Sequence, residues 1–484
     1  MPKKMSVLFA TSEAMPFAKT GGLADVSGSL PKYLKKAGLD TAIIMPKYRQ
    51  IEEMDIKTKK IGEVMVNLSG TVFTGEIEKS SLPGTRVKVY FVKNDAFFHR
   101  KGLYGEKSGD YPDNSSRFIF FSRAVLEALK IIDKKPNIIH AHDWQTGLIP
   151  CYLKSFLYSN DTFYHGIKTV FTIHNLSYQG LFWHIDMPLT GLGWNYFTPE
   201  KLEFYGKISF LKAGLLYSDI LTTVSPTYSK EIQNTRLGCG MEGLLNKRNS
   251  ELFGILNGAD YSTWDPKKDK LIPKNYSKTN IKGKSENKSI LLEKFGLLKD
   301  DVPVISFIGR LVEQKGLELI KSALNSMAEL PAKFIFLGTG NKNYEDFLSA
   351  MMRKYPDKIS VMLEFSEKTA HLLQAGSDIL IMPSSFEPCG LNQLYSMKYG
   401  TIPVAYKTGG LADSIIDFRI DPKNGTGFLF SEYTEKAMLE TLISAIKAYD
   451  NKKIWKKLVS NCMSQDFSWQ KASEEYIKIY KKII

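Results

Sequence analysis

The sequence predicts an α/β protein made of two domains, each built around a doubly wound parallel sheet. The first observation behind this prediction is a series of strand-length apolar runs that alternate with stretches of helical periodicity. The second is that this series breaks off and starts again in the second half of the chain. The third is the length of 484 residues, which exceeds what one hydrophobic core supports and suits two domains of ordinary size.

The first series opens with the strand "MSVLFATSE", which is followed by a loop with a glycine pair. Residues 23–38 come next, and their apolar side chains have helical spacing that ends at a glycine. A second strand follows, so this part of the chain is the strand, loop, helix and strand unit that starts a parallel sheet. The predicted strands of the series lie within residues 5–13, 40–48, 136–144, 168–176 and 219–226.

The predicted strands of the second series lie within residues 302–316, 332–340, 377–390 and 401–413. Two such series imply two Rossmann-like domains that face each other across a cleft. We place the N-terminal domain at residues 1–255 and the C-terminal domain at 256–466, with the crossover within 252–266. The amphipathic last segment, 467–484, either caps the second domain or, as we expect, returns to complete the first.

The chain is basic, with a net charge of +14 and a pI near 9.2. Such a charge favours an anionic partner, so nucleic acid, a membrane surface and a phosphorylated substrate must all be considered. The lysines are scattered, however, and short clusters such as 57–60 and 452–457 have the spacing of solvated helix or loop faces. We therefore expect a small phosphorylated substrate, with neither nucleic acid nor a membrane as partner.

The cysteines indicate a reducing compartment. They are Cys151, Cys239, Cys389 and Cys462, which lie far apart without a Cys-x-x-Cys pair, so neither a disulfide framework nor a zinc site is predicted. The first residues lack the apolar core and cleavage site of a signal peptide, and no segment reaches the roughly 18 apolar residues of a membrane span. These features predict a cytoplasmic protein and leave its oligomeric state unknown.

The heptapeptide "KTGGLAD" occurs twice, at residues 19–25 and 407–413. In each copy a glycine pair precedes a helical start, which lets the backbone turn sharply and direct N–H groups at a bulky or anionic group. In the first copy Gly21 and Gly22 allow close approach of a diphosphate or a sugar, and Lys19 adds a full positive charge to the helix N-terminus. A structural turn explains the glycines equally well.

Two later motifs carry charged side chains at predicted strand ends. In "GRLVEQKG", Arg310 and Lys315 flank a strand-to-helix loop and are able to converge on one anionic group. In "SSFEPCGLNQLY", Glu387 stands at a predicted helix start, where its carboxylate accepts from sugar hydroxyls while the amides of 389–392 donate to anions. An ordinary surface cation pair and simple helix capping are the alternatives for these residues.

His142, Asp143 and His174 stand at the ends of two predicted strands, on the same edge of one sheet. A purely structural role is the alternative for each histidine. No metal is expected, because the chain has neither His-Glu-x-x-His nor Asp-x-Asp. No cofactor is expected either, since neither half carries Gly-x-Gly-x-x-Gly followed by an acidic residue about 20 positions later.

Taken together, these motifs closely resemble one family, the bacterial glycogen synthases and plant starch synthases, which are retaining glycosyltransferases of the twin-Rossmann GT-B type. The matching motifs occur in order over essentially the whole chain, as "KTGGLADV", "HAHDW", "FTIHNLSYQG", "NGAD" with a following Trp, "GRLVEQKG", "SSFEPCGLNQLYSMKYG", "TGGLAD" and "DFSW". The resemblance implies metal-independent transfer of glucose from ADP-glucose to the non-reducing end of an α-1,4-glucan, either glycogen or a maltooligosaccharide, with retention.

The resemblance also implies roles for individual residues. The implied catalytic residues are Lys19, His174, Arg310, Lys315 and Glu387. The implied substrate-binding residues are Gly21, Gly22, Asp25, Tyr104, Asp143, Phe365, Cys389, Gly390, Leu391 and Asn392. In this scheme His174 lines the donor glucose, Arg310 and Lys315 neutralise the leaving diphosphate, and Phe365 stacks on adenine. The C-terminal domain then binds the nucleotide sugar, and the second "KTGGLAD" is a structural turn that packs its helix.

Two positions depart from the pattern of related transferases. Tyr395 stands where many retaining twin-Rossmann enzymes have a second Glu that holds the ribose, and Ser385 stands where many relatives have Arg. The sequence leaves open how the ribose is held and whether ADP-glucose or UDP-glucose is preferred. The alternatives are a glucan phosphorylase or small-glucoside transferase of the same architecture, a binder of nucleic acid or anionic surfaces, and a catalytically idle glucan-binding scaffold.

Overall fold

A computed structural model describes residues 4–106, 109–132 and 135–484. The chain forms two compact units: an N-terminal unit of Met1–Gly258 with Trp469–Ile484, and a C-terminal unit of Ala259–Ser468. The sequence had placed these boundaries at 255/256 and 466/467, a few residues too early. The reason is that the Ile255 amide still bonds to Thr223 in the first sheet, whereas the Ala259 amide already bonds to the Phe467 carbonyl.

The N-terminal unit is built on a sheet with the strand order β14-β13-β9-β8-β1-β2-β5-β4-β3. Its strands, with those of two small antiparallel sheets, are β1 Ser6–Ala10, β2 Asp40–Pro46, β3 Lys59–Leu68, β4 Thr71–Ser81, β5 Lys88–Lys93, β6 Gly105–Glu106, β7 Gly109–Asp110, β8 Ile138–His142, β9 Lys168–Ile173, β10 Leu181–Trp183, β11 Glu203–Phe204, β12 Lys207–Ser209, β13 Ile220–Thr223 and β14 Leu252–Gly254. The strands from β14 to β5 pair in parallel, and β3 and β4 extend the sheet antiparallel. This parallel part is the doubly wound sheet that the sequence predicted.

Helices cover the sheet of this unit. They are α1 Gly22–Lys36, α2 Arg49–Glu52, α3 Asp95–Phe98, α4 Asn114–Ala128, α5 Leu148–Lys154, α6 Phe210–Tyr217, α7 Pro226–Glu231 and α8 Glu242–Lys247. Every residue of β1 and β8 is buried, as expected for parallel strands that are covered on both faces.

The C-terminal unit contains a parallel sheet with the order β17-β16-β15-β18-β19-β20. Its strands are β15 Val304–Ile308, β16 Lys333–Leu337, β17 Ile359–Met362, β18 Ile379–Met382, β19 Ile402–Tyr406 and β20 Phe428–Phe430. Its helices are α9 Lys282–Lys294, α10 Leu317–Glu329, α11 Lys342–Lys354, α12 Glu367–Gly376, α13 Asn392–Lys398, α14 Gly409–Ser414, α15 Glu435–Asp450 and α16 Lys452–Met463. The chain thus contains two Rossmann-like sheets, as its two series of strand and helix patterns predicted.

The last helix, α17 (Trp469–Lys481), belongs to the N-terminal unit and packs against α1. Its Trp469, Tyr476 and Tyr480 are buried in the core of that unit. None of the helices in the described ranges is long and apolar enough to cross a membrane.

Candidate active site

The first glycine loop connects β1 to α1 and is organised by Glu13. This carboxylate is 3% exposed and accepts hydrogen bonds from the Thr20 amide at 2.5 Å and the Thr20 hydroxyl at 2.6 Å. It also accepts from the Gly21 amide at 3.3 Å and from the Tyr104 hydroxyl at 2.7 Å. Two of the loop amides that we expected to face an external anion are therefore occupied by an internal one.

Gly21 and Gly22 are exposed, and a Cβ atom at either position would meet none of the described atoms within 4 Å. The backbone beside them therefore has free space, which a loop that approaches a bulky ligand requires. Lys19 and Asp25, implied to be a catalytic and a substrate-binding residue, form an ion pair with each other at 2.8 Å. Asp25 thereby holds the Lys19 ammonium beside the loop.

Tyr104 lies in the loop before α4 and reaches back to the first glycine loop. Its hydroxyl contacts Ser12 Oγ at 2.7 Å as well as Glu13, and its carbonyl accepts from the Asn114 amide group at 2.8 Å. Burial and the nearby Glu13 carboxylate raise the pKa of Tyr104 well above its usual range, so it stays a neutral donor. Tyr104 and the glycine loop therefore share one carboxylate.

Parallel pairing of β8 with β9 brings Asp143 and His174 together. His142 lies opposite Thr172 in this pairing, and both strands end at the same edge of the sheet. Asp143 Oδ1 accepts from the His174 amide at 2.7 Å, and burial raises the pKa of Asp143 to about 7. The backbone of Asp143 has φ +55° and ψ −179°, which residues other than glycine rarely adopt. Such a strained conformation persists only where the surrounding structure imposes it.

The His174 ring contacts a second histidine. Its Nε2 lies 3.0 Å from His142 Nδ1. Burial lowers the pKa of His174 to about 3 and that of His142 well below its usual range. Both rings are therefore neutral near pH 7.

In the C-terminal unit, the loop after β15 and the loop after β18 meet at an ion pair. Lys315 Nζ lies 2.6 Å from Glu387 Oε2, which also accepts from Ser384 Oγ at 3.0 Å. Glu387 is 6% exposed, whereas Arg310 is exposed and pairs with none of the residues that the structure describes. The two cations therefore differ in their surroundings, because Lys315 is held by Glu387 whereas Arg310 is exposed.

The sequence placed Glu387 at a helix start, and this detail is wrong. Helix α13 begins at Asn392, so Glu387 lies in the loop before it. The loop turns at Gly390, which has φ +70°. The Asn392 side chain, expected to donate to substrate, instead donates to the Ile308 carbonyl at 2.9 Å and fastens the loop to β15. Leu391 is the residue immediately before α13.

The second "KTGGLAD" packs against the backbone of this loop. The Gly410 amide donates to the Glu387 carbonyl at 3.1 Å, and a Cβ atom at Gly410 would lie 2.0 Å from the Cys389 carbonyl oxygen. Only glycine fits so close to another backbone. This copy is therefore a packed structural turn, as the sequence predicted.

Phe365 lies between β17 and α12 and is 87% exposed. Its ring stays available for stacking, the role predicted for it, but no described contact tests that role. Tyr395 is buried instead and stacks on Trp264 with 4.2 Å between the ring centroids. The structure thus joins Tyr104 to the first glycine loop, Asp143 to His174 and Lys315 to Glu387. Arg310 and Phe365 are exposed and form neither a hydrogen bond, an ion pair nor a ring contact with the described residues.

Sequence reasoning missed Glu13. This residue forms hydrogen bonds with two of the predicted site residues, Gly21 and Tyr104. Its only signal was a carboxylate at the end of the first predicted strand, a few residues before the glycine pair.

Within residues 4–106, 109–132 and 135–484, no group of three or more His, Cys, Asp or Glu side chains is placed to hold a metal ion.

Comparison with known proteins identifies the family. The family model "Starch synthase catalytic domain" matches residues 6–247, and "Glycosyl transferases group 1" matches residues 291–459. Glycogen synthases of Desulforamulus reducens and Pseudothermotoga lettingae are 46% and 44% identical to the chain, each over 99% of both chains.

Solved structures agree with this result. The catalytic domain of starch synthase IV from Arabidopsis thaliana, bound to ADP and acarbose, superposes with a TM-score of 0.91 at 33% identity over 99% of both chains. Sucrose-phosphate synthase from Thermosynechococcus elongatus, with a TM-score of 0.61 at 14% identity over 99% of both chains, shares the fold. The chain belongs to the glycogen and starch synthase family of glucosyltransferases.

Proposed function

We propose that this enzyme transfers glucose from ADP-glucose to the non-reducing end of an α-1,4-glucan, with retention at the anomeric carbon and without a metal ion. The relatives support the reaction class, since proteins that are 46% and 44% identical to this chain are named glycogen synthases. The Arabidopsis starch synthase IV structure contains ADP, which is the product that ADP-glucose leaves after transfer. The cytoplasmic location predicted from the sequence remains part of the proposal.

The observation that carries the proposal is the ion pair between the half-buried Lys315 and the buried Glu387. Glu387 uses Oε2 for Lys315 and Ser384, while Oε1 makes no hydrogen bond within the described part of the chain. Such a carboxylate orients the ammonium and still accepts a hydrogen bond from a sugar hydroxyl. The exposed Arg310 follows β15 at the sheet edge where open α/β sheets bind ligands.

These groups suit a reaction that releases a diphosphate. As the bond between the anomeric carbon and the phosphate oxygen breaks, negative charge grows on the diphosphate, and Lys315 and Arg310 stabilise it. Preorganised cations supply this stabilisation without a metal ion, which is the basis for proposing a metal-independent reaction. In the N-terminal unit, Lys19, Gly21 and Gly22 are proposed to meet the diphosphate and the glucose.

Retention follows in this proposal from attack on the same face that the diphosphate leaves. The acceptor hydroxyl bonds to the anomeric carbon and passes its proton to the departing phosphate oxygen, so no protein carboxylate becomes glucosylated. In this proposal the His174 carbonyl eases positive charge on an oxocarbenium-like sugar. With its pKa at about 3, the His174 ring is neutral during turnover and adds no repulsion to that charge.

The test of the proposal is glucose incorporation into glycogen from ADP-glucose and from UDP-glucose, measured side by side with and without EDTA. We expect preferential transfer from ADP-glucose that EDTA does not reduce. Loss of transfer with EDTA would contradict the metal-free mechanism, and preference for UDP-glucose would contradict the donor. Absence of transfer from both donors would overturn the proposal.

The mechanism makes one prediction about Lys315. Lys315→Ala is expected to lower kcat by at least ~10², the scale for losing one preorganised charge at a developing anion. Glucan binding should change little. Lys321→Ala, at an exposed position on α10, is the matched control and should retain the wild-type kcat. An unchanged kcat in Lys315→Ala would remove this residue from the mechanism.

A further inference from the structure

Three histidines lie in a row, and their nitrogens have different partners. His140 and His142 are buried residues of β8, and His174 is a partly buried residue that follows β9. Both nitrogens of His140 are engaged, Nδ1 with Tyr480 Oη at 2.8 Å and Nε2 with Thr172 Oγ1 at 2.6 Å. The His142 ring stacks on His140 with 4.2 Å between the centroids, and its Nδ1 lies 3.0 Å from His174 Nε2. His142 Nε2 is buried and has no hydrogen-bond partner in the described part of the chain.

This pattern restricts where the protons lie. Burial lowers the pKa of His142 and of His174 below the usual range, so each ring carries one N–H near pH 7. The bond between them then needs one donor and one acceptor. If His174 donated from Nε2, the proton of His142 would sit on its own Nε2 as a buried N–H without a partner. If His142 donates from Nδ1, its Nε2 is only an unused acceptor.

The second arrangement is the favoured one, because buried N–H groups without an acceptor are the rarest unsatisfied groups in proteins. It fixes the state of His174 as well, since a ring that accepts at Nε2 carries its proton on Nδ1. His174 is only partly buried, and its Nδ1 makes no hydrogen bond with the described residues. That nitrogen is therefore a donor that has no acceptor among the described residues.

We propose that His142 is a positioning residue that holds His174 in the Nδ1–H tautomer, so that the ring presents a fixed N–H donor to an oxygen of the bound sugar. The assignment of a sugar as the recipient rests on the proposed function. The tautomer itself does not, because it follows from contacts within the N-terminal unit. His142 would act through His174 without touching the substrate.

The chain supplies its own references for the test. His165 Nε2 lies 2.9 Å from the Ser159 carbonyl, which only accepts, so His165 carries its proton on Nε2. His371 Nδ1 lies 2.7 Å from Asp269, whose carboxylate pKa is lowered by its hydrogen bonds to His371 and Tyr399 despite the opposing effect of burial, so His371 carries a proton on Nδ1. Long-range ¹H–¹⁵N spectra distinguish these two patterns.

The experiment uses the full chain labelled with ¹⁵N-histidine at pH 8, with signals assigned by single-histidine substitutions. His174 is expected to give the Nδ1–H pattern of His371. In His142→Phe we expect a mixture of tautomers at His174, a fall in kcat of about tenfold or more and little change in the KM for glucan. His142→Asn, which keeps an amide donor near the position of Nδ1, should restore the pattern and most of the rate.

The signals of His165 and His371 report whether the His142→Phe variant is folded, because both rings lie outside the histidine row. An Nε2–H pattern at His174 in the wild-type chain would overturn the proposal. An unchanged His174 pattern in His142→Phe would overturn it as well. If no glucosyl transfer were found at all, the proposed function would fail while the spectra still decided the tautomer.

Discussion

The heptapeptide "KTGGLAD" occurs once in each unit, and the two copies have opposite surroundings. In the first, Gly21 and Gly22 are exposed and have free space where a side chain would be. In the second, Gly409 and Gly410 are buried against the backbone of residues 387–389. Seven identical residues therefore form an open loop in one unit and a packed turn in the other.

The backbone differs between the copies as well. Helix α1 begins at the second glycine, Gly22, after an extended Gly21 with φ −154°, whereas α14 begins at the first glycine, Gly409, with φ +42°. The first copy starts a helix of 15 residues and the second a helix of 6. Because glycine permits both conformations at little cost, the surrounding unit selects between them.

The copies also differ in what holds them. The first is held by a side chain, since Glu13 accepts from Thr20 and Gly21. The second is held by a main chain, since the Glu387 carbonyl accepts from Gly410. Truncating the Glu13 side chain removes the first contact, whereas truncating the Glu387 side chain leaves its carbonyl in place. Shared sequence therefore indicates shared backbone needs, and the contacts decide which copy meets a ligand.

Alanine at the second glycine of each copy should give the largest contrast in stability. Gly410→Ala forces a Cβ atom to within 2.0 Å of the Cys389 oxygen, so the loop must move, and we expect a loss of about 3 kcal/mol in the free energy of unfolding. Gly22→Ala meets no neighbour and gains helix propensity, so its unfolding free energy should stay equal or rise by less than ~1 kcal/mol. Urea unfolding measures the free energy of unfolding of both variants. Equal unfolding midpoints for Gly410→Ala and Gly22→Ala would contradict a difference in packing between the two copies.

Alanine at the lysine of each copy should give the contrast in activity. Lys19 stands beside the open loop, so Lys19→Ala is expected to lower kcat/KM for ADP-glucose by ~10² through loss of one charge at the diphosphate. Lys407 is exposed beside the packed copy, and Lys407→Ala is the matched control, with an expected change below about threefold. Initial rates at several donor concentrations decide this, and similar losses in both variants would contradict separate roles for the copies.

Much of the fold was predictable because parallel strands are buried on both faces. Continuous apolar runs marked β1, β8, β15 and β18, and the structure contains all four. The antiparallel strand β3 was missed because one of its faces is exposed. Its buried Val64, Val66 and Leu68 alternate with exposed residues, and a search for period-two alternation would have found it.

The site was predictable as a set of residues but not as a set of contacts. Motif positions indicated Lys315 and Glu387, yet these residues lie 72 positions apart, and their ion pair depends on how two loops fold onto one sheet edge. Tyr104 and Glu13 lie 91 positions apart and meet for the same kind of reason. Local spacing carries no information about such long-range contacts, which is also why Glu13 went unnoticed.

Removing the charge of Glu13 should loosen only the first copy. Glu13→Gln has one acceptor oxygen where the carboxylate has two, and a neutral amide oxygen accepts more weakly than a carboxylate. The bonds from the Thr20 and Gly21 amides should therefore weaken, and the Thr20 and Tyr104 hydroxyls cannot all keep donating to this side chain. We expect a loss of about 1–2 kcal/mol in local stability. Hydrogen exchange should show faster exchange of the Thr20 and Gly21 amides.

The Gly410 amide is the internal control for this experiment. It donates to a main-chain carbonyl in the second copy, so its exchange rate should not change in Glu13→Gln. Faster exchange at Gly410 would indicate general destabilisation of the chain. Unchanged exchange at Thr20 would mean that Glu13 does not hold the first loop.

The smallest expected effect is that of Asp25→Asn, which removes the ion pair of Lys19 but keeps the positive charge of Lys19. The Lys19–Asp25 pair lies near the surface, with side chains 39% and 23% exposed, and pairs of this kind contribute less than ~1 kcal/mol. Asp25→Asn should therefore lower the unfolding free energy by less than that amount. The difference should shrink in ~1 M salt, where screening acts within about 3 Å.

The activity of Asp25→Asn then decides how Lys19 acts. If Lys19 binds the diphosphate directly and Asp25 only aims it, the variant keeps the charge and loses its orientation, so kcat/KM should fall much less than in Lys19→Ala. A loss as large as that of Lys19→Ala would place Asp25 itself among the groups that contact substrate. A rate above wild type would mean that Asp25 competes with the diphosphate for Lys19, since the contact at 2.8 Å uses one of the three N–H donors of the ammonium and fixes its direction.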